Sequence, residues 1–145
     1  MKITIIATEP SGDFLGYKLI QSLKKVKNVE ISGVGGELMN SEGLDSWVNI
    51  EEFNAIGIYE VMIRILKFIK LFKYIERRIR EKSPNILITI DSPSFCYRLV
   101  NKIQDLRGKI KFVHYVAPTV WAWKAYRSKI FSKSYDKIFT LFDFE

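Results

Sequence analysis

Asp91 directly follows the apolar run ILITI in the stretch IDSPSF, at a position where a carboxylate can do chemistry. At the end of a strand, apolar surroundings would make a carboxylate more basic while leaving it accessible to a ligand. Such a group suits a general base that takes a proton from a substrate hydroxyl. The competing interpretation is an Asp that caps a turn before Pro93, and the residues favour the functional one.

A second polar stretch, ATEPSGD, follows the apolar run ITIIA and precedes a predicted helix. It contains Glu9, Ser11, Gly12 and Asp13. In one interpretation Ser11 or Asp13 caps that helix and Gly12 permits a tight backbone. In the other, backbone amides of a small loop face an anion at the helix N-terminus. The stretch matches neither G-x-G-x-x-G nor a P-loop, and its spacing alone leaves both interpretations open.

Two further stretches follow predicted strands. In GVGGELM, which contains Gly35, Gly36 and Met39, the glycines allow a close backbone approach, either to a ligand or to a neighbouring helix. In YVAPTVWAWK, Pro118 and Trp121 belong to an aromatic cluster that forms either an apolar wall of a ligand cleft or a helix packed on the sheet.

Residues 58–82 have the pattern of a long helix with more apolar residues than one buried face needs. The predicted core-facing stripe is Ile58, Val61, Met62, Ile65, Ile69, Phe72, Ile75 and Ile79. Off that stripe lie Leu66, Phe68 and a basic ladder of Arg64, Lys67, Lys70 and Lys73. Apolar residues mixed with cations are typical of a helix on an anionic membrane surface. The alternative is a partner helix or domain that covers the extra apolar face.

The composition sets the bounds on these interpretations. The 145 residues suit one domain, and an apolar fraction of 48% supports a substantial core. The net charge of +7 favours an anionic partner. No sequence signature of a nucleic-acid-binding fold is present, so a nucleic acid is not the expected partner. The single Cys excludes an internal disulfide and a zinc cluster, and neither a signal peptide nor a transmembrane helix is expected.

The elements that must position these stretches alternate between strand and helix. Strands are predicted at 2–7, 29–36, 44–50, 86–90, 109–116 and 137–141. Helices are predicted from Phe14, at 37–43, 58–82 and 120–135, and at 95–108, where Gly108 closes the helix. This order predicts an α/β, Rossmann-like, doubly wound and mainly parallel sheet, with the polar stretches at the carboxyl ends of the strands. The chain stops just past a predicted strand, which suggests half of a larger unit.

Five motifs in order along the whole chain resemble the lipid-A-disaccharide synthase family of membrane-associated glycosyltransferases. They are ATEPSGDFLG, GVGGELM, GIYEV, IDSPSF and HYVAPTVWAWK, and the terminal FDFE is similar to a further family motif. The resemblance implies the N-terminal domain of a GT-B architecture, in which two Rossmann-like domains face a cleft.

The activity implied by the resemblance is lipid A biosynthesis. A diacylated glucosamine is transferred from UDP to the 6-hydroxyl of diacylated glucosamine 1-phosphate. The β-1,6 disaccharide forms with inversion, without metal or cofactor, and UDP leaves. The implied partners are the glycolipid acceptor and the UDP-sugar donor. The implied location is cytoplasmic, peripheral at the inner membrane.

The resemblance also implies roles for individual residues. Asp91 is the catalytic base. The implied substrate-binding residues are Glu9, Ser11, Gly12, Asp13, Gly35, Gly36, Met39, Pro118 and Trp121. The implied membrane or lipid contacts are Met62, Arg64, Leu66, Lys67, Phe68, Lys70 and Lys73. Three positions depart from the family pattern near these sites, namely Thr8, Ser94 and Cys96.

Members of this family carry a second, UDP-binding domain. We therefore expect residues 1–145 to be a single acceptor-side domain with little or no transferase activity alone. The alternatives are a non-catalytic module that binds a membrane or a lipid-linked sugar, and one half of a split glycosyltransferase whose partner chain supplies the donor domain.

Overall fold

The computed structural model describes residues 1–26, 28–54, 61–116, 131 and 133–140, with only the backbone described at 54 and 61–64. Its strands are β1 (Lys2–Ala7), β2 (Glu30–Gly35), β3 (Asp45–Asn49), β4 (Ile86–Ile90), β5 (Lys111–Tyr115) and β6 (Lys137–Phe139). Its helices are α1 (Pro10–Val26), α2 (Glu37–Ser41), α3 (Glu51–Asn54), α4 (Val61–Lys82) and α5 (Pro93–Lys102). A 3₁₀ turn, Gln104–Leu106, follows α5.

The six described strands form one parallel sheet in the order β3-β2-β1-β4-β5-β6. This is the strand order of a Rossmann-like, doubly wound fold, so the predicted α/β class is confirmed. From β1 the chain winds outward to β2 and β3, and from β4 it winds the other way to β5 and β6. The switch point between the two directions therefore lies between β1 and β4.

The sheet is covered on both faces. Isoleucines of β1 and β4 pack with Ile20 of α1 and Met39 of α2 in one core cluster. The other cluster joins β4 and β5 to α4 and α5, through fully buried Ile75 and Ile79 and through Leu99. Burial on both faces explains why β4 is a continuous apolar run.

Several helix boundaries differ from prediction. α2 ends at Ser41 rather than at Gly43. α1 begins at Pro10 rather than at Phe14, because Pro10 and Ser11 already form its first turn. α5 begins at Pro93, and it ends at Lys102 rather than at Gly108. The 3₁₀ turn follows it, and Gly108 instead takes a φ of +97° in the turn before β5.

The core-facing stripe of α4 was predicted too long. Ile75 and Ile79 are buried, but Ile65 and Ile69 are 51% and 42% exposed. The end of the helix was predicted correctly: Ser83 has a φ of +42° before Pro84, and the helix stops there. Of the predicted helix at 120–135, the structure describes Phe131, Lys133 and Ser134, which are helical, and Tyr135, which is not.

Candidate functional site

The candidate site lies at the carboxyl ends of β1 and β4, which are neighbours in the sheet. In open parallel sheets, ligands bind in the crevice at such a switch point. A cavity of about 560 Å³ lies there, of the size of a small-molecule site. We call it the strand-end cavity, and its lining residues are Thr8, Glu9, Pro10, Ser11, Phe53, Phe68, Ser92, Pro93, Ser94, Phe95 and Arg98.

Asp91 does not line this cavity itself, but the backbone and two hydrogen bonds hold it against Ser11 and Ser92, which do line it. The Ser11 hydroxyl donates to its Oδ2 at 2.8 Å, and the Ser92 amide donates to its Oδ1 at 2.9 Å. Asp91 and Ser92 have φ of +55° and +42°, the left-handed region that non-glycine residues seldom adopt. Two such residues in succession turn the chain sharply out of β4 into α5, and strained backbone of this kind clusters at functional sites.

The surroundings of Asp91 differ from the apolar environment expected from the sequence. Its hydrogen-bond donors are the Ser11 hydroxyl and the Ser92 amide, and the Ser92 hydroxyl in turn donates to Glu9. The reason is the sharp turn, which points Asp91 toward the loop after β1 rather than along the apolar strand. The half-buried carboxylate is thus oriented by polar neighbours.

A chain of hydroxyls holds Glu9 on the other side of the turn. The buried Thr8 hydroxyl donates to Ser92 Oγ at 2.7 Å, and Ser92 Oγ donates to Glu9 Oε1. Ser92 and Thr8 are 8% and 4% exposed, whereas Glu9 is exposed to the cavity. The loops after β1 and β4 are therefore joined by two links, Ser11 to Asp91 and Ser92 to Glu9.

The sequence suggested that Asp13 either caps its own helix or belongs to a ligand-binding loop. In the structure it does not cap α1, and it does not line the cavity. It is 6% exposed and accepts hydrogen bonds from the backbone amides of Gly36, Leu38 and Met39 at 2.8, 3.2 and 3.1 Å. A carboxylate that satisfies these amides is the N-terminal cap of α2. Its role in this structure is to tie α2 to α1.

The glycines and Met39 of the predicted substrate set serve packing in this structure. A Cβ on Gly12 would lie 3.1 Å from Ala7 Cβ, so Gly12 lets α1 approach β1. A Cβ on Gly35 would lie 2.7 Å from Met39 Sδ, and one on Gly36 would lie 2.5 Å from Asp13 Oδ2. Met39 is fully buried and has no open surface for a substrate. The close approach allowed by these glycines is to neighbouring core groups.

Gly35 and Gly36 also border a separate polar cavity of about 330 Å³ near the ends of β2 and β3. Pro118 and Trp121 lie outside the described residues, as do the side chains of Met62 and Arg64. Of the predicted substrate contacts, the structure therefore brings Glu9 and Ser11 together with Asp91.

The first half of α4 is exposed where the sequence predicted lipid contact. Leu66 and Phe68 are 59% and 39% exposed, and Lys67, Lys70 and Lys73 are exposed beside them. Lys67 pairs with Glu52 at 3.6 Å. In the part of the chain that the structure describes, no helix is both long and apolar enough to cross a bilayer.

Eight lining residues of the cavity were missed as site residues from the sequence, and Ser92 and Arg98 are two polar ones among them. Ser92 is adjacent to Asp91, and its role becomes visible only when Thr8 and Glu9 are brought beside it. Ser94 and Arg98 are four residues apart and both line the cavity. That spacing would have shown a shared face once α5 was taken to begin at Pro93.

Cys96 and His114 are buried groups near the site with shifted pKa values. Burial raises the pKa of the Cys96 thiol, which donates to the Asp91 carbonyl at 3.3 Å, so Cys96 is no ready nucleophile. Burial lowers the pKa of His114 to about 4, and its Nδ1 lies 2.7 Å from Thr89 Oγ1. Within the described ranges, no cluster of three or more His, Cys, Asp or Glu could hold a metal.

Comparison with known proteins places this chain in one family. The profile of the family described as lipid-A-disaccharide synthetase matches residues 3–145. Proteins named lipid-A-disaccharide synthase are 41% identical over 145 residues in Rickettsia bellii (strain OSU 85-389) and 43% identical over 146 residues in Rickettsia prowazekii (strain Madrid E). The one in Blochmanniella pennsylvanica (strain BPEN) is 40% identical over 144 residues.

Each of these matches covers 99% of this chain and 37% or 38% of the relative. The chain thus spans a little over a third of the length of the curated relatives it matches. The match of the family profile to nearly every residue carries the assignment: the chain belongs to the lipid-A-disaccharide synthetase family.

Proposed function

We propose that this chain is the acceptor-side portion of a lipid-A-disaccharide synthase. The observation that carries the proposal is the Asp91–Ser11 pair at the β1–β4 switch point, in a chain whose family profile spans residues 3–145. The complete enzyme would transfer a diacylated glucosamine from UDP to the 6-hydroxyl of diacylglucosamine 1-phosphate. The products would be the β-1,6 lipid A disaccharide and UDP.

In this mechanism Asp91 is the general base. Its carboxylate takes the proton from the attacking 6-hydroxyl as that oxygen bonds to the anomeric carbon of the donor sugar. The bond from that carbon to the UDP oxygen breaks on the opposite face, which inverts the configuration. Ser11 donates to Oδ2 of Asp91 and the Ser92 amide to Oδ1, so the carboxylate is positioned before the substrate arrives.

Glu9 is the second carboxylate of the proposed site and has a binding role. The Ser92 hydroxyl holds it at the cavity wall, whereas the Ser11 hydroxyl holds Asp91. A carboxylate is acceptor-only when ionised, which suits hydrogen bonds from sugar hydroxyls. No cofactor or metal takes part in these steps.

The donor side of the cleft would come from outside these 145 residues. The relatives are far longer than the matched segment, since this chain covers 38% of the Rickettsia bellii protein. We propose that a UDP-sugar-binding domain closes the cleft from the other side, either later in the same polypeptide or on a partner chain. The exposed basic half of α4 would hold the domain at the cytoplasmic face of the inner membrane.

A test follows from this division. The 145-residue polypeptide alone, given acceptor and donor, should release UDP no faster than a sample without protein. Replacing the matching segment of the Rickettsia bellii enzyme by this chain should give a chimera that forms the disaccharide. Chromatography of radiolabelled product measures both, and robust UDP release by the isolated chain would contradict the proposal.

A second candidate is a non-catalytic domain that binds a membrane or a lipid-linked sugar. The observation that favours it is the exposed first half of α4, where Leu66 and Phe68 lie on the same helix as exposed lysines. The chimera separates the two candidates, because a domain that had lost its chemistry would bind lipid but support no transfer.

A further inference from the structure

A groove of about 610 Å³ runs between α4 and α5, beside the strand-end cavity. We call it the α4–α5 groove. Its lining residues are Ile65, Phe68, Ile69, Phe72, Lys73, Glu76, Arg98 and Lys102. Four of these residues are apolar and four are charged, and we call the first set the floor and the second set the rim. A mostly apolar groove with a few polar groups has the character of a ligand site.

The groove and the strand-end cavity share two residues, Phe68 and Arg98. Phe68 packs edge-on against Phe95 at 5.7 Å between ring centroids, which fixes the wall between the two spaces. Arg98 is exposed at the same junction. A ligand with a polar end and an apolar chain could therefore occupy both spaces and pass Arg98 where the two meet.

The charge on the rim favours an anionic ligand. Within the described ranges, the side chains of Lys73, Arg98 and Lys102 make no ion pair with a carboxylate. Glu76, the rim carboxylate, is already engaged by Arg80, whose Nε and Nη2 each lie 3.2 Å from its Oε1. Three cations therefore surround an apolar floor, and the forked donors of an arginine match phosphate oxygens.

We propose that the α4–α5 groove binds one acyl chain of an anionic lipid whose phosphate is held by Arg98. The proposal rests on the proposed function in one respect, since the acceptor named there is a phosphorylated lipid, and the groove would be the place where that lipid binds.

The proposal distinguishes two faces of α4. The groove face carries Ile65, Phe68 and Ile69, whereas Leu66, Lys67 and Lys70 lie outside the groove lining and can face a membrane.

The test is direct binding of dodecyl phosphate, kept below its micelle-forming concentration, to the 145-residue chain by titration calorimetry. Arg98→Gln should weaken binding about tenfold, because a charge-assisted hydrogen bond to phosphate is lost. Ile69→Ser should weaken it by a similar factor through lost apolar contact. Inorganic phosphate and dodecyl maltoside, each with half of the probe's chemistry, should bind far more weakly.

Matched controls lie elsewhere on the surface. Arg77→Gln changes an exposed arginine of α4 that pairs with Glu81, and Val26→Ser changes an 86% exposed apolar residue at the end of α1. Both should bind dodecyl phosphate as the unchanged chain does. Circular dichroism of all four variants checks that the fold is retained.

The results separate this inference from the proposed function, because binding is measured without transfer. Loss of binding in R98Q and I69S alone supports the groove, even if the chimera makes no disaccharide. If both variants bind dodecyl phosphate normally, the inference is overturned, even if the chimera is active. It is also overturned if the variants lose only vesicle binding, since the groove residues would then belong to the membrane-facing surface.

Discussion

Asp13 lies in the core, where its carboxylate accepts hydrogen bonds from three backbone amides of the α2 N-terminus. Asp13→Ala should lower the free energy of unfolding by about 2–4 kcal/mol, because the cap is lost and buried donors are left unpaired. Asp13→Asn should lower the free energy of unfolding by a smaller amount. The side-chain carbonyl of Asn can accept the hydrogen bonds of Gly36 and Met39, which both donate to Oδ1 of Asp13. The NH₂ group of Asn would face the Leu38 amide, which is also a donor, so that hydrogen bond would be lost.

Chemical denaturation measures this difference, with Asp45→Ala as the matched control. Asp45 is an exposed carboxylate that pairs with Lys82 at 3.3 Å, and its loss should change stability by less than about 1 kcal/mol. Equal effects of Asp13→Ala and Asp45→Ala would contradict the capping role.

His114 predicts a pH dependence of stability. Burial lowers its pKa in the folded state to about 4, below the usual 6.5. Between those values the unfolded chain binds the proton and the folded chain does not. Stability should therefore be at its full value above about pH 6.5 and fall by up to about 3 kcal/mol as the pH approaches 4.

Denaturation at a series of pH values tests this, and the chain has one His, so the assignment is direct. In His114→Gln the slope between pH 6.5 and 5 should disappear, although the variant is less stable overall. The same slope in the variant would show that other groups cause it.

Among single residues, the sequence correctly predicted that Asp91 lies at the end of a strand, but it misjudged the position of Asp13. Asp91 could be found because it ends an apolar strand, a local signal. The partners of Asp13 begin 23 residues further along the chain, at Gly36, so no local pattern reveals them. The hydroxyl chain from Thr8 through Ser92 to Glu9 is hidden for the same reason, since it joins residues more than 80 positions apart.

At the scale of elements, α4 carries the lipid-contact hypothesis. Replacing Lys67 and Lys70 together by Gln should weaken binding to vesicles that contain anionic phosphatidylglycerol. Each lysine near such a surface contributes about 1 kcal/mol, so the loss should be about thirtyfold at low ionic strength. Vesicle sedimentation measures it.

The matched control replaces Lys25 and Lys109, two exposed lysines away from α4, by Gln. It changes the net charge by the same amount and should retain most of the binding. If the two double variants bind equally, overall charge rather than this helix face attracts the membrane, and the hypothesis fails.

The length of α4 explains why its burial was predicted incorrectly. Its 22 residues extend about 33 Å at 1.5 Å per residue, whereas the five residues of β4 extend about 17 Å. Only the half with Ile75 and Ile79 can lie on the sheet. The half with Ile65 and Ile69 extends past the carboxyl edge of the strands and reaches the cavity through Phe68. Helical periodicity identifies the apolar face of a helix, but it cannot show how far along the helix the sheet buries that face.

At the scale of the molecule, alternation of strands and helices was enough to predict the doubly wound parallel sheet. The strand order was not predicted from the sequence, because register and neighbours depend on contacts between distant segments. The order matters for function, because it makes β1 and β4 neighbours. It thereby brings two motifs more than 80 residues apart, ATEPSGD and IDSPSF, to one cavity.

The most direct test of the account is disaccharide formation by the chimera with Asp91 changed to Asn. The chimera should transfer sugar, and Asp91→Asn should lower its turnover by a factor of about 10²–10⁴, the usual contribution of a general base. Asn keeps the shape of Asp but cannot take the proton. Binding of the acceptor should change little, and Asp45→Asn should turn over normally. Undiminished turnover in the Asp91→Asn chimera would contradict the central claim.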